Sequence, residues 1–380
     1  MNILEEIQSC SVEWKELGEV CEIETGKLNA NESVEDGKYP FFTTAKEISR
    51  INSFRWNTEA LLIAGNANVG DVKYYSGKFE AYQRTYVLTN FSHNVKARFL
   101  LHIVKQGLKS YLENNTNKAA MSYIVISTLK SFPIPIPPIE IQEKIVQILD
   151  KMTEYVTELT SELTSRKKQY SFYRDKLLSF EDEVYQVEWK KLSECLKKGK
   201  GTKITASQMK LLHKDGAPIR IFAGGKTYAD VNYGDIPDKD IHTEEAIVVK
   251  SRGIIDFEYC TKPFSFKNEF WSYSSDNENI NLKYIYHYLV HNKEHFQNIA
   301  NNMQMPQISS NDTEKFKIPV PSLEIQSRIV RVLDNFDTVC HDLNIGLPKE
   351  IELRQKQYEY FREKLLTFVA EGEYTESRVE

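Results

Sequence analysis

The sequence predicts an α+β protein: two α/β domains separated by two long helices that face each other, with a pseudo-twofold internal repeat. Three repeated blocks predict it. FPIPIPPIEIQEKIVQILD at 132–150 returns as FKIPVPSLEIQSRIVRVLD at 316–334, with eleven of nineteen positions identical. VEWKEL at 12–17 returns as VEWKKL at 187–192, and RKKQYSFYRDKLLSF at 166–180 as RQKQYEYFREKLLTF at 354–368. Blocks repeated in one order divide the chain into globular, helical, globular and helical parts. The expected boundaries are 1–137, 138–183, 184–321 and 322–370, with a tail at 371–380.

The first globular part alternates apolar runs with turn residues, the pattern of short strands. GKYPFFTTAKE (37–47), EALLIAGNANVGDVKYY (59–75) and GKFEAYQRTYVLT (77–89) supply them, and ARFLLHIVKQGLKSYL (97–112) reads as a helix. The prolines at 133, 135, 137 and 138 then forbid helix and set an extended exit. Behind them Ile141, Ile145, Ile148, Met152, Tyr155 and Leu159 recur at steps of four and three, a stripe suited to another long helix. Some 40 residues at 1.5 Å each make a rod of roughly 60 Å, more than one globular core needs.

The second half repeats the plan. APIRIFAGGKT (217–227), EEAIVVKSRGIIDFEY (244–259) and KPFSFKNEFWSY (262–273) carry strands, and LKYIYHYLVHNKEHF (282–296) reads as a surface helix. After Pro319 and Pro321 the stripe continues as Ile325, Ile329, Val332, Phe336, Val339 and Leu343. Four residues are inserted near Asn344–Pro348, where glycine and proline should break the helix and place Pro348 in the first turn of the next segment.

At 380 residues, 27% charged and 41% hydrophobic, the chain has the profile of a globular protein of two or three compact units. MNILEEIQSC does not read as a signal peptide, no apolar run reaches a membrane span, and five scattered cysteines form no CxxC or CxxH pattern. A reducing cytoplasm is the expected setting. The net charge of −5 conceals an uneven distribution: residues 12–137 hold 15 Lys/Arg against 13 Asp/Glu, and 187–321 hold 19 against 17. Each globular part can therefore present a positive face to nucleic acid.

The two globular parts keep their strands but differ in loop chemistry, as two readers of different base edges would. Candidate readers in the first are Thr43, Thr44, Lys46, Asn66, Asn68, Lys73, Tyr82, Gln83 and Arg84. In the second they are Arg220, Lys226, Thr227, Lys250, Ser251, Arg252, Lys267, Asn268 and Trp271. For any one of them a plain solvated loop residue is the competing reading.

Catalytic patterns are not visible. Neither GxGxxG nor GxxxxGK[ST] occurs, GNANVGD (65–71) reads as a strand connection, and IPDKD (236–240) lacks the strand partner of a nuclease site. His287, His291 and His295 have a spacing that can face a metal, but Tyr288 stands where a zincin needs glutamate. No metal site is expected.

IPIPPIEIQEKIVQILD with IPVPSLEIQSRIVRVLD, and RKKQYSFYRDKLL with RQKQYEYFREKLL, resemble the specificity (S) subunits of type I restriction–modification systems. The resemblance covers nearly the whole chain. It implies a non-catalytic, sequence-specific DNA-binding subunit whose recognition domains each read one half of a bipartite site in double-stranded DNA. Its two long helices, packed as an antiparallel coiled coil, would set the gap and dock two methyltransferase (M) subunits. Restriction (R) subunits would join through the complex. The resemblance places S-adenosylmethionine in the M subunits and ATP with Mg in the R subunits, with no cofactor in this chain. It assigns no base-reading residue, because the loops of this family vary too widely.

Overall fold

The computed structural model describes residues 3–115, 123–180, 187–301 and 305–368. The expected tail 371–380, and residues 181–183 and 369–370 of the helical parts, lie outside them. The chain forms two compact units, Met1–Leu159 with Ile351–Glu380, and Thr160–Glu350. Each long helical part is thus divided between the units rather than forming a unit of its own.

Unit one is built on a six-stranded sheet in the order Glu22–Thr25, Thr85–Thr89, Trp56–Ala64, Val72–Ala81, Tyr39–Phe42 and Ser49–Ile51. All neighbours are antiparallel except Tyr39–Phe42 against Val72–Ala81. The central strand is apolar on both faces: Leu61 and Ile63 face the helix Ala97–Asn115, while Ala60 and Leu62 join Phe42, Trp56 and Phe79 in a second core. Burial on both sides explains why ALLIA does not alternate.

Unit two repeats this order, with one strand broken. Lys197–Lys200, Trp271–Ser274, Ala246–Lys250 and Asp256–Cys260 form one sheet, and Tyr228–Val231, Ile219–Phe222 and Phe264–Phe266 another. Phe264–Phe266 runs parallel to Ile219–Phe222, as Val72–Ala81 does to its neighbour in unit one. The single strand of unit one corresponds to two here because Pro263, which has no N–H to give a ladder, falls in the middle.

In both units the VEWK block pairs antiparallel with the proline strand, Glu13–Glu16 on Pro133–Ile136 and Glu188–Lys191 on Lys317–Val320. The prolines are tolerated because these two-stranded ribbons leave edges unpaired. Each ribbon ends where a rod begins: Ile139–Ser179 is one unbroken helix of 41 residues, and Leu323–His341 is its counterpart. The second rod breaks after His341. The Asp342 carboxylate accepts the Asn344 and Ile345 amides, and Gly346 lies too close to the Thr338 carbonyl for any side chain. Leu347–Leu366 then resumes with Pro348 in its first turn.

The stripe is buried only in part. Ile141, Ile145 and Ile329 are buried, and Ile148, Met152, Leu159, Ile325 and Phe336 half-buried, but Tyr155, Val332, Val339 and Leu343 are exposed. Leu343 lies beyond the helix. Besides Ile329, the residues that seal the second rod are Gln326, Leu333 and Cys340, outside the stripe. The first turns of each rod pack on the core of their own domain, and a straight helix drifts away from a 3.5-residue period. Other helical segments complete each core: Leu365, Leu366 and Phe361 in unit one, Tyr170, Leu177 and Leu178 in unit two.

Candidate nucleic-acid interface

The loops of unit one that carry the candidate readers meet at one end of its sheet. Asn68 donates from Nδ2 to the Thr44 carbonyl (2.7 Å), and Lys73 from Nζ to the Ala45 carbonyl (3.0 Å). The Gly65 amide donates to the Arg84 carbonyl, the Tyr82 amide to Phe42, and the Gln83 amide to Leu28. Four loops, 26–29, 43–48, 65–71 and 82–84, are thereby tied into one surface. Lys46, Gln83 and Arg84 are exposed on it; Thr43, Asn66, Asn68, Lys73 and Tyr82 are half-buried.

Unit two assembles the equivalent surface. Lys250 donates from Nζ to the Gly225 carbonyl (3.0 Å), the Lys267 amide to Phe222, and the Thr202 amide to Phe266. The loop after the central strand is pinned alike in both units. Ile124 donates to Gly65 beside an Asn66–Tyr123 bridge, and Ile308 to Ser251 beside an Arg252–Gln307 bridge. Arg220, Lys226, Thr227, Arg252 and Asn268 are exposed, and Lys267 half-buried against Glu269.

Four candidates are corrected by burial, since a side chain that cannot leave the core cannot reach a base edge. Thr44 is buried. Lys250 is sealed against Glu258 (2.6 Å), where it ties the hairpin to loop 224–227. Ser251 donates to the Glu269 carbonyl, and Trp271 donates from Nε1 to Thr313 in the core. Arg220 is exposed but committed: it grips Asp230 bidentately (2.8 and 3.0 Å) and lies 4.0 Å over the Tyr228 ring. That hydrogen bond raises the Arg220 pKa and lowers that of Asp230.

Two residues escaped the sequence reading. Lys27 and Lys203 are exposed on segments bridged to Tyr82 and Lys267, one residue before the bridge in unit one and one residue after it in unit two. Gly26 and Gly201 run so close to the backbone of Ala81 and Phe266 that a side chain would collide. The paired strings TGK (25–27) and GTK (201–203) were the available signal.

The three histidines are also accounted for. His287 is buried with Nε2 3.0 Å from Asp334, His291 lies 3.5 Å from Asp175, and His295 packs on Phe296 and Phe316. The helix expected over 282–296 is two helices that meet at Asn292: Leu282–His291, which carries His287 and His291 and buries Tyr284, Ile285 and Leu289 rather than lying on the surface, and Lys293–Ala300, which carries His295. Among the described residues no group of three or more metal-ligating side chains is placed to hold an ion, and no helix is long and apolar enough to cross a membrane.

Unit one contains the twin of that contact, His102 with Nε2 3.1 Å from Asp150. Burial pushes both imidazoles below the usual 6.5, with the aspartates pulling the other way. The unfolded chain then binds protons first on acidification. Stability is full above the unfolded value of 6.5 and falls as pH drops through it toward the folded value. The double substitution His102→Gln with His287→Gln is expected to flatten the decline of Tm between about pH 7.5 and about 5.5. An unchanged decline in thermal melts would contradict it.

Residues 11–166 and 186–353 each match the family model of the type I restriction modification DNA specificity domain. The specificity subunit of the Escherichia coli type I restriction enzyme EcoR124I/EcoR124II is 36% identical over 264 residues, 63% of each chain; the match spans under two thirds of that relative. The crystal structure of a type I restriction-modification S subunit from M. genitalium superposes with a TM-score of 0.66 at 17% identity, covering 95% of this chain and 98% of that one. An HsdS subunit from Thermoanaerobacter tengcongensis gives 0.51 at 13% identity, covering 94% and 97%. With both halves matching that model, this chain belongs to the type I restriction-modification DNA specificity family.

Proposed function

We propose that this chain is the sequence-reading subunit of a type I restriction–modification complex, each unit reading one half of a bipartite site in double-stranded DNA. The observation that carries this is the duplicated loop surface: the same strand ends in both units, with the same pinning and different side chains. Lysine and arginine there position the phosphates, and the polar side chains that differ between units specify the bases. Linking two readers makes the second contact intramolecular, so two weak half-sites add to one firm one when the spacing fits.

The rods set that spacing and dock two methyltransferase subunits, for which exposed Tyr155, Phe172, Tyr173 and Val339 offer apolar contacts. Chemistry then resides in the partners: S-adenosylmethionine in the M subunits, ATP and Mg in the R subunits, and no catalytic centre in this chain. Single-molecule mapping of adenine methylation in cells carrying this subunit with its M partner is expected to yield one split motif with a fixed gap. Exchanging residues 12–137 for another recognition domain should rewrite one half of it. A continuous motif, or a change in both halves, would overturn the reading.

A further inference from the structure

In each unit one run of polar contacts ties the sheet to the rod. In unit one the Tyr74 hydroxyl donates to Glu59 (2.8 Å), and the Arg98 guanidinium lies 4.9 Å over the Tyr74 ring. Arg98 donates from Nε to one oxygen of Asp150 (2.8 Å), while His102 Nε2 meets the other (3.1 Å). In unit two the Tyr259 hydroxyl donates to Glu245, and Lys283 lies 5.6 Å over the Tyr259 ring. Lys283 reaches one oxygen of Asp334 (2.7 Å), and His287 Nε2 the other (3.0 Å). Every member has its counterpart, down to the strand register: Tyr74 stands opposite Leu61 and Tyr259 opposite Ile247.

Folding stability gives a poor reason for this duplication. Arg98, Asp150, Lys283 and Asp334 keep about a third or more of their side-chain surface in water, where ion pairs contribute little. The helix that carries Arg98 or Lys283 has otherwise drifted: between 97–106 and 282–291, His102/His287 is the one identity in ten positions. The geometry offers a better reason. Glu59 and Tyr74 lie on the hairpin whose turn, 65–71, belongs to the loop surface, and Asp150 belongs to the rod. That turn is five or six residues beyond Glu59, about 17–20 Å along the strand. A tilt of about 10° at the relay would shift the loops by about 3 Å, close to the 3.4 Å rise of one base pair.

We infer that this relay fixes the angle at which each loop surface stands on its rod, making Asp150 with Arg98 and Tyr74, and Asp334 with Lys283 and Tyr259, positioning residues for spacing discrimination. The inference rests on the bipartite reading above. Its test uses the complete complex with its methyltransferase partner and DNA duplexes carrying the mapped site with its native gap, or with one base pair added or removed. D150A, and Y74F, which keeps the ring in place, should lower the preference for the native gap by about tenfold, the scale of a lost charged hydrogen bond. Base preference within each half should stay as in the wild type. R98K should behave as wild type, since lysine fills that place in unit two, and R98A should resemble D150A. Unaltered gap preference in both D150A and Y74F, or R98K failing as R98A does, would overturn the relay and leave the bipartite reading standing. A wild-type complex indifferent to gap length would overturn both.

Discussion

Replacing Gln142 or Gln326 with leucine is expected to destabilise the fold by about 3 kcal/mol or more, although the shape barely changes. Both side chains are 0% exposed, and both close three hydrogen bonds. Gln142 accepts the Lys96 amide (2.9 Å) and donates to the Asn94 and Pro137 carbonyls (2.8 and 2.9 Å). Gln326 accepts the Asn281 amide (2.8 Å) and donates to Asn279 and Pro321 (3.0 and 2.8 Å). Each glutamine thus binds the loop ahead of a domain helix to the proline exit and to the first turn of the rod. Leucine fills the space but strands one donor and two acceptors, and buried groups without partners cost far more than a hydrogen bond contributes. Urea titration should show a lower midpoint at unchanged slope. A loss below about 1 kcal/mol would show that water enters the joint and replaces the side chain.

The second large effect concerns recognition. Pairing Lys27→Ala with Arg84→Ala should disable one half of the site, and Lys203→Ala with Arg252→Ala the other. A lost base-edge contact costs about 1–3 kcal/mol, and each phosphate contact removed lowers the salt slope by about one. Either pair is expected to reduce affinity for the full site by about a hundredfold at moderate salt. All four residues are exposed, so melting temperatures should stay close to wild type. Fluorescence anisotropy of the complex on labelled duplexes measures the first effect. A methylation map that blurs in one half only measures the second. Blurring in both halves from one pair would mean that the units do not read independently.

How far these predictions were visible beforehand differs by residue. The duplication is legible by comparing distant blocks, and the proline exits, the rods and the break at Gly346 are legible because each rests on local rules. Glycine and proline restrict their own backbone, and a helix repeats its face every three to four residues. The sequence by itself also delimited the loops, since turn residues mark where strands must end. Which loop residues remain free was decided only by the tertiary structure. Lys250 and Trp271 looked as available as Lys226 until Gly225 and Thr313 arrived from distant parts of the chain. The same holds for Gln142, Asp150 and their twins. They are polar letters within an amphipathic helix, with nothing beside them in the sequence to mark them. Their partners lie some 40 to 50 residues away, at Lys96 and His102, or at Asn281 and His287. Burial and pairing are properties of long-range packing, and no window along the chain contains both sides of such a contact.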